Sequence, residues 1–511
     1  MVIMSKPIKK SLEDPQFSKL RATLWPIQNS ELKKFLPMGL MMFFVLFNYT
    51  LLRNFKDTLL ITAPFCGAEV IPFLKPWVMI CAILFFFIYS KLSNTLSRPA
   101  LFYTCLTPFL AFFAVFAFII YPQREFLHPS PESVIALRDI CPNLKWMISL
   151  YGVWSYAIFY ILAELWGVIV IALLFWQFAN EITRTNEAKR FYSFFGLIGN
   201  LALIIAGSLV EWLSYINANS KSDVDAWGVT VTAIMVSIVA VGIGIIAIYA
   251  WMNRYVLTDP VFYDAAKSVG NKGKEDKPKL SLMASLRVIL SSKYLGFIAL
   301  LLLGYGISMN LIDITWKSQL QAYLPRSTDY FAFMGRFSFW TGIITILFIL
   351  STKGIVRRFG WFTGAIITPV TILLTSFLFF AFILFQESLN DVVTFFGVTS
   401  LYMAVMVGAV QNILSKGTKY SLFDPTKEMA YIPLNQELKV KGKAAVDVIG
   451  GRVGKSGGGF IQFMLLTLTA GSQLTIAPYL FGVVALVGVA WLGAVKGLSK
   501  LYNARLPPCS P

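Results

Sequence analysis

Tyr49, Arg53 and Lys56 recur at i, i+4 and i+7, so on a helix they share one face. They stand in a run, FVLFNYTLLRNFKDTLLI, that is otherwise mostly apolar. Other charges intrude on apolar sequence in the same way: Lys75 in IPFLKPW, Glu164 in ILAELWGVIVI, Asp313 and Lys317 in NLIDITWKSQL, and Arg336 in FMGRFSF. Asp447, Arg452 and Lys455 do so in AVDVIGGRVGKSGGGF. A charge carried to the bilayer centre costs about 2.5–3.5 kcal/mol on insertion scales. The cations here outnumber the acids. A cavity with surplus fixed positive charge takes an anionic guest, because the guest offsets the desolvation of the lone bases. The chemistry implied is binding of an anion, with a phosphorylated compound best matched to several cations.

Local pairing is the competing explanation. Asp313 and Lys317 are i, i+4 with the acid first, and Lys443 precedes Asp447 by the same interval, so each pair can close along its own helix. Lys75 and Arg336 can snorkel if they lie near a membrane edge. Lys455 has glycine at both i−4 and i+4, which leaves it without an acid on its own face. Its surroundings, GGRVGKSGGGF, resemble a phosphate loop only superficially. A Walker A loop requires glycine at position 449, where this chain has Ile449, and a preceding strand. The glycines serve either close helix packing or local unwinding that frees backbone N–H groups.

Catalytic and metal chemistry find little support. His128 is the single histidine and sits in a proline-rich loop, and the cysteines at 66, 81, 105, 141 and 509 show no metal spacing or disulfide framework. The reading is therefore not an enzyme, with no metal and no cofactor.

The elements that must hold these charges are membrane helices. Only 14% of the residues are charged and 57% are hydrophobic, against about 25% charged in an average soluble protein. Apolar stretches near the roughly 20 residues needed to cross a bilayer recur throughout. We read an all-α polytopic protein with twelve transmembrane helices, at 36–61, 70–91, 99–121, 146–179, 190–214, 228–252, 286–322, 328–352, 361–386, 396–421, 443–470 and 474–498. The net charge of +18 follows from topology rather than from nucleic-acid binding. Lysine and arginine crowd the N-terminal tail, the linker and the loops after spans 2, 4, 8 and 10, whereas the loops 62–69, 387–395 and 471–473 have none. The positive-inside rule then puts both termini in the cytoplasm. The domains expected are a basic tail 1–35, a six-helix half 36–252, a basic linker 253–285, a second half 286–498 and a tail 499–511. At an offset of 261 residues Phe55 maps to Trp316, Lys56 to Lys317, Lys75 to Arg336 and Thr107-Pro108 to Thr368-Pro369. Two pseudo-symmetric halves of six helices suggest a major-facilitator-like transporter with its site at the midplane.

Several strings carry a closer resemblance: FNYTLLRNFKDTLLITAP, GAEVIPFLKPW, AELWGVIVIALLFWQFANEIT, TWKSQL, KYSLFDPTKEMAYIPL and GKSGG. From about Trp25 to about Lys500 the chain resembles the nucleotide transporter family, the ATP/ADP translocases of plastids and obligate intracellular bacteria. The resemblance implies exchange of external ATP for internal ADP across a bacterial cell membrane. It also implies functional roles for Lys75, Glu164, Asp313 and Lys455. Asp313 departs from the glutamate usual at its position, and Cys66 from a small residue.

The scheme expected is alternating access around one central site. Lys75, Lys455, Arg53 and Lys56 neutralise phosphates, with Lys317, Arg336 and Arg452 as further candidates. Glu164 and Asp313 pair with lysines when the site is empty, and Tyr49, Trp166 or Trp316 stacks the base. The partners are ATP, ADP and membrane lipid, without nucleic acid; the residues fix no oligomeric state, and a monomer suffices. The alternatives are a proton-coupled nucleoside triphosphate importer of the same family and a membrane enzyme acting on phosphorylated lipids.

Overall fold

The computed structural model describes residues 27–505, apart from 219–224, 260–288, 290–291, 353, 396, 436–441, 444, 447–449 and 451–452. The side chains of a few helical residues, Lys455 among them, also lie outside the described part. Most of the expected linker 253–285 and Asp447 fall in these gaps, while Lys443, its expected partner, pairs with Glu428 at 2.6 Å.

Apolar sequence without water to satisfy its backbone must form helices, and the described chain is helix upon helix. We name the principal ones α1 (Leu32–Ile61), α2 (Ile71–Thr95), α3 (Arg98–Val115), α4 (Trp154–Trp166), α5 (Thr185–Ala218), α6 (Ala226–Tyr255), α7 (Lys293–Tyr323), α8 (Ser327–Thr352), α9 (Ile355–Leu384), α10 (Ser400–Thr418), α11 (Gly454–Thr469) and α12 (Gln473–Asn503). Among the described residues ten helical stretches are long and apolar enough to cross a membrane. The other two expected spans, 396–421 and 443–470, overlap α10 and α11, neither of which is among the ten. Gln411, Asn412 and Lys416 dilute the hydropathy of α10, and the sequence before Gly454 is only partly described. Side-chain caps mark several starts as the sequence dictates: the hydroxyls of Ser292, Thr399 and Ser472 accept from the backbone N–H three residues on.

Two expected spans differ in detail. The stretch 146–179 divides at Val153 into the helix Lys145–Gly152 and α4, and α4 continues through a π-helical segment, Gly167–Phe175. The helix Lys145–Gly152 belongs to the loop end of the bundle. In α9 Gly360 takes a φ of 84°, a left-handed value open to glycine, so the straight helix begins at 361 as the sequence suggested.

Contacts between the two parts of the chain run along α5 with α8 and along α2 with α11. The first pairing needs glycine on both sides. A Cβ on Gly207 would fall 2.5 Å from the Gly335 carbonyl oxygen. The glycines of α11 serve the same end: a Cβ on Gly458 would meet Asn310 of α7 at 2.8 Å. Close packing is thus the role of the described glycines in the lysine-containing motif, and Lys455 stands in the first turn of a helix.

Candidate functional site

The polar face of α1 faces the centre of the bundle, and four of the other charges singled out from the sequence gather around it. Lys75 of α2 and Lys56 of α1 both approach Glu164 of α4, with Nζ 3.6 Å and 3.0 Å from the same carboxylate oxygen. Lys56 Nζ also lies 2.5 Å from Asp57 Oδ1. The other oxygen of Asp57 is 3.0 Å from Nζ of Lys317 on α7. Lys317 then donates to Asp313 at 2.6 Å, one turn earlier on its own helix. The result is one alternating chain, Lys75–Glu164–Lys56–Asp57–Lys317–Asp313. It joins α2, α4 and α1 to α7 across the expected boundary between halves. Its middle is dry, with Asp57 1% exposed and Lys56 and Lys317 under a tenth, while its ends are wetter. Tyr160, one turn before Glu164, presents its ring 4.0 Å from Lys56 Nζ.

Three lysines against three carboxylates make this chain formally neutral. The excess of positive charge expected of Lys56, Lys75 and Lys317 is therefore absent from them. Buried charges in a medium of low polarity are tolerated only in such pairs. The excess lies beside the chain instead. A cavity of about 980 Å³ is lined by Tyr49 and Arg53 of α1, Lys416 of α10 and Tyr420. Asn200 and Ser338 add polar groups to its wall. Neither Arg53 nor Lys416 has a carboxylate within 4.0 Å among the described residues. Lys416 was missed in reading the sequence, yet the criterion that selected Lys455 would have found it. It stands inside an expected span, with Asn412 and Tyr420 rather than acids at i−4 and i+4.

The remaining candidates separate. Arg336 is not brought to the site: it lies more than half exposed on the outer flank of α8 and pairs with Glu211 of α5 at 3.4 Å. Its counterpart in the sequence offset, Lys75, turns inward, so the offset holds in space for Lys56 and Lys317, which share Asp57, but not for this pair. Arg452 and the Lys455 side chain lie outside the described residues. Of the aromatic residues considered for stacking, Trp166 and Trp316 are wholly buried and donate to the carbonyls of Val45 and Val405. They are packing residues; Tyr49 alone of the three lines the cavity. Gly167 permits this, since a Cβ there would fall 3.0 Å from the Tyr49 ring.

The cavity and the ties between the two parts of the chain occupy opposite ends of the bundle. The cavity extends to Arg190 and Leu350, at helix ends next to the basic loops. At the other end Gln321 donates to the Ile61 carbonyl at 2.7 Å, and the hydroxyls of Thr62 and Ser327 meet at 2.8 Å. Glu69 accepts from the Gln473 backbone N–H at 3.0 Å. Lys145 and Trp146 donate to the carbonyls of Ala470 and Gly471. Ala470 has a φ of 48°, unusual for a residue with a Cβ, which aims its carbonyl at Lys145. The molecule is closed at this end and open at the basic one.

The family described as TLC ATP/ADP transporter matches residues 10–502. ADP,ATP carrier protein 1 of Chlamydia pneumoniae is 49% identical over 496 residues, 96% of each chain. ADP,ATP carrier protein 1 of Rickettsia bellii is 45% identical, covering 96% of this chain and 97% of its own. The chloroplastic ADP,ATP carrier protein 1 of Arabidopsis thaliana is 45% identical over 94% of this chain and 76% of its own. Among solved structures, a bacterial homologue of the iron transporter ferroportin in an inward-facing state superposes with a TM-score of 0.55 at 15% identity, covering 93% of this chain and all of that one. A D-xylose–proton symporter gives 0.55 at 12% identity, covering 91% and 96%. These two likenesses concern the fold alone, that of major-facilitator-like transporters.

Proposed function

The chain belongs to the TLC ATP/ADP transporter family, and from that premise we propose that it exchanges external ATP for internal ADP across a membrane by alternating access. It is a multi-pass membrane protein and not an enzyme, and its substrates are the two nucleotides. The chlamydial and rickettsial relatives support the cell membrane of an obligate intracellular bacterium as its location. We place both termini, and with them the open end of the cavity, on the cytoplasmic side, because the basic loops gather there.

The observation that carries the mechanism is the neutral six-residue chain beside a cationic cavity. Lys56, Lys75 and Lys317 are satisfied by Asp57, Glu164 and Asp313, so the central charges are not stranded. A nucleotide arriving at Arg53 and Lys75 competes with Glu164 for the lysine and loosens the chain where it passes from one half to the other. Lys455, in the first turn of α11, is assigned to the phosphates on the same grounds as Lys75. The ties at the closed end and the open cavity at the other are the two features that an alternating-access cycle exchanges.

Counterflow in proteoliposomes tests the function. Labelled ATP outside is taken up when ADP is inside, and net charge moves, because ATP carries one more negative charge. Equal uptake into nucleotide-free vesicles would overturn obligatory exchange, and uptake driven by a pH gradient into such vesicles would select proton coupling.

A further inference from the structure

We infer that Lys416 of α10 is a phosphate-binding residue, paired with Arg53 of α1 as a two-sided clamp on the nucleotide's phosphate chain; the inference rests on the nucleotide-exchange reading above. Charge is the first ground. The lysines of the central chain are matched one for one by carboxylates, so they present no net charge to a polyanion. Arg53 and Lys416 line a cavity large enough for a nucleotide, and neither has a carboxylate within 4.0 Å among the described residues. Ligand pockets for molecules of this size run to roughly 300–1,000 Å³, and this one holds about 980 Å³.

Position is the second ground. Lys416 Nζ rests 4.4 Å from the centre of the Phe337 ring, a weak partner for a lysine removed from water. Phe337 itself lines the cavity, so the ammonium group is held at the wall. A phosphate oxygen would replace the ring as its partner and form a charge-assisted hydrogen bond. Arg53 faces the same space from α1. Each cation has a tyrosine one helical turn away that also lines the cavity, Tyr49 before Arg53 and Tyr420 after Lys416. The two cations come from opposite halves. A phosphate chain held between them ties α1 to α10 on the side where the cavity is open, which is the side that must close when the carrier turns over.

A site that counts phosphate charge treats ATP and ADP differently. Lys416→Gln is expected to raise the KM for ATP by about tenfold or more, the effect of losing one charge-assisted contact, and that for ADP by less. Lys416→Arg, which keeps the charge, is expected to restore most of the affinity. Thermal unfolding in detergent without nucleotide supplies the control: removing a cation that has no acid partner among the described residues leaves the unfolding temperature unchanged or raises it, while the rise on adding ATP shrinks. An unchanged KM in Lys416→Gln would overturn the proposal. So would equal loss in the Gln and Arg variants, or a nucleotide-free protein that unfolds at lower temperature, since both mark a structural residue. If the unmodified protein exchanges ATP for ADP and the variants behave so, the clamp alone fails; if the unmodified protein exchanges neither, the nucleotide reading fails first.

Discussion

Asp57 is the most revealing single position, because it alone holds the two lysines that the sequence offset relates. Changing it to asparagine keeps the shape and removes one charge. The carboxylate lies 2.5 Å from Lys56 and 3.0 Å from Lys317 and is 1% exposed. At an effective dielectric of about 20 those distances correspond to gross attractions of about 6.6 and about 5.5 kcal/mol. Most of this is offset by the desolvation of three buried charges, and breaking such a pair typically costs about 3–5 kcal/mol net. We take about 3 kcal/mol, since Lys56 keeps Glu164 at 3.0 Å and Lys317 keeps Asp313 at 2.6 Å. Asp57→Asn should therefore unfold at lower temperature than the parent and exchange more slowly. Adding Lys317→Gln returns the chain to neutrality, and the double variant should recover at least about half of the lost stability, a coupling of the size seen between contacting charges. The assay is thermal unfolding of purified protein with parallel counterflow measurements. If Asp57→Asn were as stable as the parent, or if the second substitution added its own loss in full, the chain would not be a cooperative electrostatic unit and the account of the empty carrier would fail.

Other outcomes follow from the same geometry. Lys455→Gln that inserts normally should lose most of its exchange activity, measured as labelled ATP uptake; unchanged uptake would remove Lys455 from the phosphate site. Cys141 is exposed beyond the expected outer end of the helices, whereas burial pushes the Cys66 thiol up to about 12. In single-cysteine variants an impermeant maleimide should label Cys141 rapidly on intact cells and Cys66 slowly, and labelling of Cys141 only in inverted vesicles would reverse the topology. His128, in contact with the Ser155 hydroxyl at 2.7 Å, is held below its ordinary pKa by burial and then by Arg124. A depressed value means that its contribution to stability is present above about pH 6.5, the ordinary histidine value, and is lost as pH falls below it. The unfolding temperature should drop between pH 7 and pH 5, and His128→Gln should flatten that drop.

The sequence by itself determined the class of this protein. Long apolar runs must become membrane helices because helices satisfy the backbone within their own segment in lipid, and the crowding of basic residues in alternate loops is the ground on which we place the termini in the cytoplasm. The same scarcity of charge made Arg53, Lys56, Lys75, Glu164, Asp313 and Lys317 stand out, and whole strings such as TWKSQL and KYSLFDPTKEMAYIPL led to a family. What the sequence did not carry is which charges meet. Arg336 reads like Lys75, yet the rotation of α8 turns it to the outer flank and Glu211, whereas α2 turns Lys75 inward to Glu164. Trp166 and Trp316 look like candidates for stacking, but the crossing of helices buries both and leaves Tyr49 on the cavity wall. Counting charges along the chain gave an excess of cations without its location. Only the packing of α1, α2, α4 and α7 pairs three lysines with three acids and leaves Arg53 and Lys416 facing the cavity, because pairing depends on distances of a few ångströms between helices far apart in sequence.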